Sequence, residues 1–428
     1  MMEKRSDWKA RFFTIWTGQQ LSLIGSRAAQ FALVWWLTTT TGSATALATA
    51  TMVALMPMIL LGPFVGALID RWNRRVVMLI ADAFIALVSL WLAYLFWAGG
   101  MQVWHIYVVM LARALGETFH WPAMAASTTL MVPEEHYARV GGLNQTIQGI
   151  LMIIAPALGA FLMELLPLHG VMLVDVGTAL FAILPLLFIA IPQPAEAHVA
   201  ALKRSSVLAN MRDGLRYVLH WPGMLALLAG VLIIKVALQP AFSLFPLLVY
   251  EHFAGEAKAL GLLQAILGAG ILGGGLLLSV WGGFKRRIYT VLMGLIGVGV
   301  AATMLGVIPA EGFWMALVVG FFLGVMISMT DGPITAILQG AIPPSMQGRV
   351  FGLLGSLFSL STPVGLAIAG PVSDFLGVRF WFQLGGLLCV IVGIISFFIP
   401  ALLQLEGKKA VAEGVLATES LGERPLCD

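Results

Sequence analysis

Apolar stretches long enough to cross a lipid bilayer recur along the whole sequence. A helix satisfies its own backbone hydrogen bonds, and about 20 apolar residues are needed to cross the hydrocarbon core. The stretches are far longer than the strands of a membrane barrel, which have about ten residues. The sequence therefore predicts an all-α polytopic membrane protein with twelve transmembrane helices. These spans are residues 12–37, 46–69, 76–98, 103–126, 142–165, 170–191, 224–250, 258–281, 288–308, 312–338, 350–376 and 379–403.

Charged residues are too scarce to form the surface of a soluble protein of this length. Of the 428 residues 60% are hydrophobic and 11% are charged, whereas soluble proteins have about 25% charged residues. The net charge of +3 provides no basic surface for nucleic acid. Cys389 and Cys427 cannot form a disulfide framework or a zinc cluster. The seven histidines are scattered and no phosphate-binding loop motif occurs. We therefore expect no enzyme, no cofactor, no metal and no nucleic-acid partner.

The positions of lysine and arginine predict the orientation in the membrane. If the N-terminus is cytoplasmic, 19 of the 24 basic residues lie in cytoplasmic loops and tails, and only Lys258 and Arg379 lie in outer loops. This split obeys the positive-inside rule. The basic N-terminal residues precede an apolar run of about 25 residues, which is too long for the core of a cleaved signal peptide. Both termini are therefore predicted to be cytoplasmic.

Two related halves are predicted on either side of a polar interval. Arg139-Val140-Gly141-Gly142-Leu143 is repeated 210 positions later as Arg349-Val350-Phe351-Gly352-Leu353. Duplicated membrane halves are typical of secondary transporters, which bind substrate near the midplane between the halves. The alternative is that proline and glycine simply recur at helix ends. The predicted domains are an N-terminal six-helix bundle (1–191), a cytoplasmic linker (192–223), a C-terminal six-helix bundle (224–403) and a cytoplasmic tail (404–428).

The loop between the second and third spans carries a charged motif. Gly66-Ala67-Leu68-Ile69-Asp70-Arg71-Trp72-Asn73-Arg74-Arg75 resembles the G-x-L-x-D-R-x-G-R-[RK] loop of the major facilitator superfamily. Asn73 replaces a glycine, and asparagine tolerates the left-handed backbone region. The resemblance implies a latch at the cytoplasmic face that stabilises the outward-facing state, with Asp70 against a helix N-terminus. The alternative is that the arginines only anchor the topology.

Most of the chain resembles the macrolide-efflux branch of that superfamily. The resemblance implies two pseudo-symmetric six-helix bundles, with helices 1, 4, 7 and 10 lining a central cavity. It also implies a monomeric, proton-driven exporter of bulky amphipathic drugs in the bacterial inner membrane. The alternatives are export of an endogenous metabolite such as a siderophore, or nutrient import. The segments that carry the resemblance are Gly18-Gln19-Gln20-Leu21-Ser22-Leu23, Thr41-Gly42-Ser43-Ala44, Phe119-His120-Trp121-Pro122-Ala123, Leu130-Met131-Val132-Pro133-Glu134-Glu135, Phe245-Pro246-Leu247 and Gly348-Arg349-Val350-Phe351.

Charged residues occur near the centres of four predicted spans, the same spans that the resemblance assigns to the cavity. A charge at mid-bilayer costs roughly 2.5–3.5 kcal/mol, so each such residue is a functional candidate. We predict that these residues serve proton coupling, namely Arg27, Arg113, Glu117, Lys235 and Asp331. The alternative is that Arg113 with Glu117, and Lys235 with Asp331, form structural pairs. Four acids nearer the span ends are expected to reach head groups or loops: Asp82, Glu164, Asp175 and Asp374.

Aromatic, methionine and polar residues on the cavity helices predict a surface that suits bulky amphipathic ligands. The candidates are Phe31, Phe119, His120, Trp121, Gln239, Phe242 and Met326. The alternative is that most of them face lipid or core. In the fifth span, Pro156 and Gly159 belong to a segment that resembles the antiporter motif G-P-x-x-G-G. Ordinary helix packing explains that segment equally well.

Overall fold

A computed structural model describes residues 8–69, 71–192, 216, 218–219, 221–342 and 344–403. The described residues form helices and connecting turns, with no strand among them. Twelve of the described helices have at least 19 residues, so the predicted all-α class with twelve long helices is confirmed. They are α1 (Trp8–Thr41), α2 (Ala44–Ile69), α3 (Arg74–Trp97), α4 (Val103–Met131), α5 (Tyr137–Leu165), α6 (Leu168–Phe188), α7 (Pro222–Ser243), α8 (Ala257–Trp281), α9 (Arg287–Val307), α10 (Phe313–Ala341), α11 (Pro344–Leu376) and α12 (Val378–Ser396).

Short helical segments adjoin α5, α7 and α12. A 3-10 turn (Glu134–His136) precedes α5, and a short helix (Pro400–Leu403) follows α12. After α7 the chain forms a helical turn (Phe245–Leu247) and then a π-helical turn (Leu248–His252). Pro246 stands at the start of that helical turn, where its missing N–H costs nothing. The predicted seventh span is therefore broken near its outer end.

Ten of the described helices are long and apolar enough to cross a membrane by length and composition. α1 and α4 are not among these ten. Both are long, but polar and charged side chains interrupt them, including Gln19, Arg27, Arg113 and Glu117. Such side chains need partners or water at membrane depth. The two helices therefore depend on the surrounding bundle more than the other ten do.

The most extensive contacts between the two halves are those of α5 with α8 and of α2 with α11. At the first interface, a Cβ at Gly261 would lie 2.8 Å from the Ala160 side chain and 3.0 Å from the Pro156 carbonyl oxygen. At the second, a Cβ at Gly370 would lie 3.0 Å from the Cα atom of Thr45. Small residues thus let the helix backbones approach closely. Pro156 of the predicted antiporter motif lies at the first of these interfaces, between α5 and α8.

The buried apolar residues differ between the two ends of the molecule. We call the end that holds residues 41–44, which the sequence predicts to face away from the cytoplasm, the outer end. There one continuous cluster joins both halves, with Leu37 from one half and Leu244 and Leu317 from the other. At the opposite, inner end, the clusters of described residues stay within one half, around Met78 or around Val350. The halves are therefore packed together at the outer end and separately packed at the inner end.

Within the C-terminal half, α8 and α10 approach so closely that only glycine fits. A Cβ on Gly270 would overlap the carbonyl oxygen of Phe321. We expect Gly270→Ala to force the two helices apart and to lower the apparent melting temperature of the purified protein by several degrees. Gly275→Ala is the matched control on α8, because its Cβ would meet only the Ser328 hydroxyl at 3.5 Å. Equal melting temperatures for the two variants would contradict this packing.

Candidate functional site

A buried ion pair connects four helices of the N-terminal half. Arg113 of α4 donates from Nη1 to Asp175 Oδ2 of α6 at 2.6 Å, and both side chains are almost fully buried. Ser89 of α3 donates to the same carboxylate oxygen at 2.7 Å, and Ser26 of α1 donates to the other at 2.8 Å. Arg113 also donates to the Ser26 carbonyl oxygen at 3.3 Å. A buried charge requires such partners, because isolated it would cost several kcal/mol.

A second polar cluster lies toward the inner end of the same half. Asp82 of α3 is 7% exposed and accepts a hydrogen bond from Gln19 Nε2 of α1 at 2.7 Å. Its other carboxylate oxygen lies 3.2 Å from Nε2 of His120 on α4. The expectation that Asp82 and Asp175 reach head groups or loops is wrong, because both side chains turn into the bundle toward polar partners. Arg113 pairs with Asp175 of α6, whereas the spacing in the sequence suggested Glu117 as its partner.

Arg27 and Glu117 are exposed residues of α1 and α4. Gly18 and Gly25 of α1 both face α6, where a Cβ would overlap the Phe181 carbonyl oxygen or the Thr178 hydroxyl. Arg27 follows Gly25 by two residues, which is about 200° around the helix, so it lies on the opposite face. Trp121, one turn after Glu117, is 67% exposed. The two helices therefore present these three side chains outside the packed interior of their half.

Two other predicted cavity residues pack inside the N-terminal half. Phe31 is 7% exposed, and its side chain packs on Gly159 of α5. A Cβ added to Gly159 would lie only 2.9 Å from that side chain. Phe119 stacks on Trp72 with ring centroids 6.2 Å apart. Gly159 of the antiporter-type motif thus accommodates Phe31 of α1. The roles of these residues in ligand binding stay predictions.

A cavity of about 240 Å³ lies within the C-terminal half, between α7, α9, α10 and α12. Lys235, Gln239 and Phe242 line it from α7, and Asp331 lines it from α10. The remaining lining is mainly aliphatic, and every lining residue belongs to this half. Met326 instead packs toward α9, where its sulfur lies 2.5 Å from a Cβ built at Gly297. The cavity brings together one acid and one base that are 96 positions apart in the chain.

The charged motif at the inner end is held within its own half. Arg74 is buried and donates to the Ala126 carbonyl oxygen of α4 at 3.3 Å. Arg75 donates at 2.5 Å to each of the carbonyl oxygens of Leu186 and Leu187, in the last turn of α6. A cation at a helix C-terminus is favourable, because it meets the unpaired carbonyl groups.

The rest of that motif is only partly described. Gly66 and Arg71 are exposed, and Asp70 lies outside the described residues. Asn73 does not adopt the left-handed conformation, because its φ is −67° and its side chain caps α3 by accepting from the N–H groups of Arg75 and Val76. The latch that the resemblance implies therefore stays a prediction.

A sequence model of the Major Facilitator Superfamily matches residues 15–353, and matches again over residues 238–422. The chain belongs to the major facilitator superfamily. The two overlapping matches cover both halves of the fold. The transporter class that the sequence predicted is thereby confirmed.

Several curated proteins are similar to this chain over most of their length. Macrolide efflux protein A of Streptococcus pyogenes is 33% identical over 407 residues, which is 95% of this chain and 100% of that protein. Macrolide efflux protein A of Enterococcus faecalis is 31% identical over 74% of this chain and 97% of its own. Multidrug efflux pump Tap of Mycolicibacterium fortuitum is 27% identical over 88% and 92%. The predicted relationship to the macrolide-efflux branch is confirmed.

A solved structure shows the same fold at low identity. The crystal structure of a mutant of the nucleoside transporter NupG matches with a TM-score of 0.68 and 12% sequence identity. The match covers 89% of this chain and 99% of that one. At this identity the similarity extends to the fold alone.

The Arg113–Asp175 pair yields a stability prediction. Asp175→Asn keeps the size of the side chain but leaves the guanidinium of Arg113 buried without a counter-charge, which costs about 3–5 kcal/mol. We expect a large fall in the thermal unfolding midpoint of the detergent-solubilised protein. Glu164→Gln is the control, because the Glu164–Lys258 pair is about half exposed and worth at most about 1 kcal/mol. Equal stability of the two variants would refute a structural role for the buried pair.

Proposed function

We propose that this protein exports macrolide-like or other bulky amphipathic drugs across the bacterial inner membrane, in exchange for protons. The observation that carries the proposal is the 33% identity to Macrolide efflux protein A over 95% of this chain and the whole of that relative. Similarity to Multidrug efflux pump Tap points to the same class of cargo. The transporter works as a monomer with both termini in the cytoplasm.

Transport proceeds by alternating access of the two halves. The packing at the outer end and the separate clusters at the inner end support this, because they correspond to one end state of such a cycle. The close helix pairs α2–α11 and α5–α8 provide the surfaces on which the halves rock. Asp70, together with Arg71, Arg74 and Arg75, stabilises the other end state from the inner side.

The substrate contacts both halves. The cavity of about 240 Å³ beside Asp331 is smaller than the roughly 300–1,000 Å³ of ordinary drug sites. A bulky drug therefore extends beyond it toward the exposed face of the N-terminal half, where Trp121 offers an aromatic surface. A protonated amine on such a drug is attracted by Asp331 on one side and by Glu117 on the other.

Proton exchange uses the same carboxylates. Glu117 and Asp331 lie in the middle of their helices and are not part of the buried pairs described above. A carboxylate that binds either a proton or a cationic drug enforces exchange, because release of one permits binding of the other. The neighbouring Asp82–His120 pair offers a second place for a proton one turn from Glu117.

Efflux assays in everted membrane vesicles with an imposed pH gradient test the cargo. The panel contains macrolides, cationic dyes and siderophores. We expect macrolides and bulky cationic dyes to move with the gradient and siderophores not to move. Transport of siderophores without transport of any drug would overturn the drug assignment and favour export of an endogenous metabolite.

The same vesicles test the coupling residues. We expect Glu117→Gln and Asp331→Asn each to reduce gradient-driven efflux by a factor of about ten or more, because neither side chain then exchanges a proton. Glu311→Gln is the control, since Glu311 is an exposed residue of the connection between α9 and α10. Efflux at the wild-type rate in both cavity variants would show that the coupling proton binds elsewhere.

A further inference from the structure

A carboxylate of the C-terminal half closes the first turn of a helix in the N-terminal half. Asp374, in the last turn of α11, accepts the N–H of Ala44 at 2.6 Å through Oδ1. Its Oδ2 accepts the N–H of Thr45 at 3.1 Å and the hydroxyl of Ser43 at 3.0 Å. All three donors belong to the start of α2, about 330 positions earlier in the chain.

The start of α2 is a place where a carboxylate is strongly favoured. The first N–H groups of a helix have no partner within it, and the helix dipole is positive at this end. Ser43 supplies an ordinary cap, because its hydroxyl accepts the N–H of Ala46 at 3.2 Å. Asp374 supplies the remaining acceptors from the other half of the molecule. The helix N-terminus is therefore completed only while the two halves touch.

The segment Thr41-Gly42-Ser43-Ala44, which carries part of the family resemblance, holds these donors in place. Gly42 has a φ of +55°, which favours glycine, and it donates to the Thr38 carbonyl oxygen at 2.9 Å. The hydroxyl of Thr41 accepts the N–H of Ser43 at 3.3 Å. The connection between α1 and α2 is thus fixed by local bonds, so the donors stand ready for the carboxylate.

We propose that Asp374 is the outer latch of the transport cycle. Its three hydrogen bonds to the start of α2 hold the outer end closed, and they break when the halves separate there. The inference rests on the proposed alternating access and does not depend on which cargo is exported. Asp374 acts by positioning the halves and does not contact the substrate.

α2 and α11 run antiparallel, since the end of α11 packs on the start of α2. At the other end of this pair, α2 ends at Ile69 and α11 begins at Pro344. The contact made by Asp374 therefore acts at the outer end of the helix pair alone.

Glu251 adds a dependence on pH to the outer latch. Burial and the negative charge of Asp374 raise the pKa of Glu251 above its usual value. This raised pKa of Glu251 belongs to the state in which the outer end is closed. Closing the outer end therefore favours uptake of a proton by Glu251. The closed state is therefore stabilised as the pH falls and destabilised as Glu251 ionises at higher pH. An acidic exterior thus favours outer closure, which is the direction that proton entry requires.

Three other charged or titratable groups at the outer end have partners in the structure. Lys258 pairs with Glu164 at 2.5 Å between α8 and α5. Arg379 donates to the Gly306 carbonyl oxygen at 2.8 Å, and His252 lies 2.8 Å from the Ile308 carbonyl oxygen. Residues 28–69, which include the outer part of α1 and all of α2, contain no charged residue and no histidine. Glu251 is the acid whose pKa is raised by the charge of Asp374 at this contact.

Spin-label distance measurements in lipid nanodiscs test the latch. Labels at Gly100→Cys and Glu311→Cys report the outer separation of the halves, because both positions are exposed in outer connections of different halves. The background carries Cys389→Ala and Cys427→Ser. We expect Asp374→Asn to raise the ratio of outer-open to outer-closed molecules by about tenfold, since hydrogen bonds to a charged group are lost. Ser43→Ala shifts the ratio in the same direction by less, and Asp374→Glu restores part of the closed population.

Glu256→Gln is the matched control, because Glu256 is an exposed acid at the outer end whose side chain makes no capping bond to its own helix. We expect it to leave the distances unchanged. Lowering the pH increases the closed population in the wild type, and Glu251→Gln removes most of that dependence. Unchanged distances in both Asp374→Asn and Ser43→Ala would overturn the latch. A shift in these variants together with failed macrolide efflux would keep the latch and reject only the cargo.

Discussion

The structure depends on the rule that an ionised or strongly polar side chain inside a bilayer must have partners. Arg113 and Asp175 satisfy each other in the middle of the N-terminal half, with hydroxyl groups from two more helices. Asp82 is satisfied in the same way by Gln19 and lies beside His120. These contacts connect α1, α3, α4 and α6. The N-terminal half is therefore held together by polar bonds as well as by apolar packing.

The charges within the membrane divide into two groups with different consequences. The buried pairs have their partners within one half and contribute to its stability. Arg27 and Glu117 are exposed on their helices, and Lys235 and Asp331 line a cavity. We propose transport roles for these four residues, whereas the buried pairs hold one half together.

The contacts between the halves combine close apolar helix packing with a few hydrogen bonds at the outer end. Small residues on α2, α5, α8 and α11 provide close but apolar contacts, which resist separation weakly and without strong directionality. Hydrogen bonds from the start of α2 to Asp374 add directionality at the outer end. Apolar contact thus joins the halves in this structure, and the proposed latch adds the carboxylate of Asp374 at the outer end.

The sequence alone determined the twelve helices, the superfamily and the four helices with central charges, because length, hydropathy and short motifs are local properties. It placed Asp374 correctly near a helix end, but it misplaced Asp82 and Asp175. Their partners lie on other helices, 62 to 86 positions away for the contacts of Asp175 with Arg113 and Ser89. Only the tertiary structure decided which acids are buried, which end is closed and what completes the start of α2, because those outcomes depend on which helix faces meet.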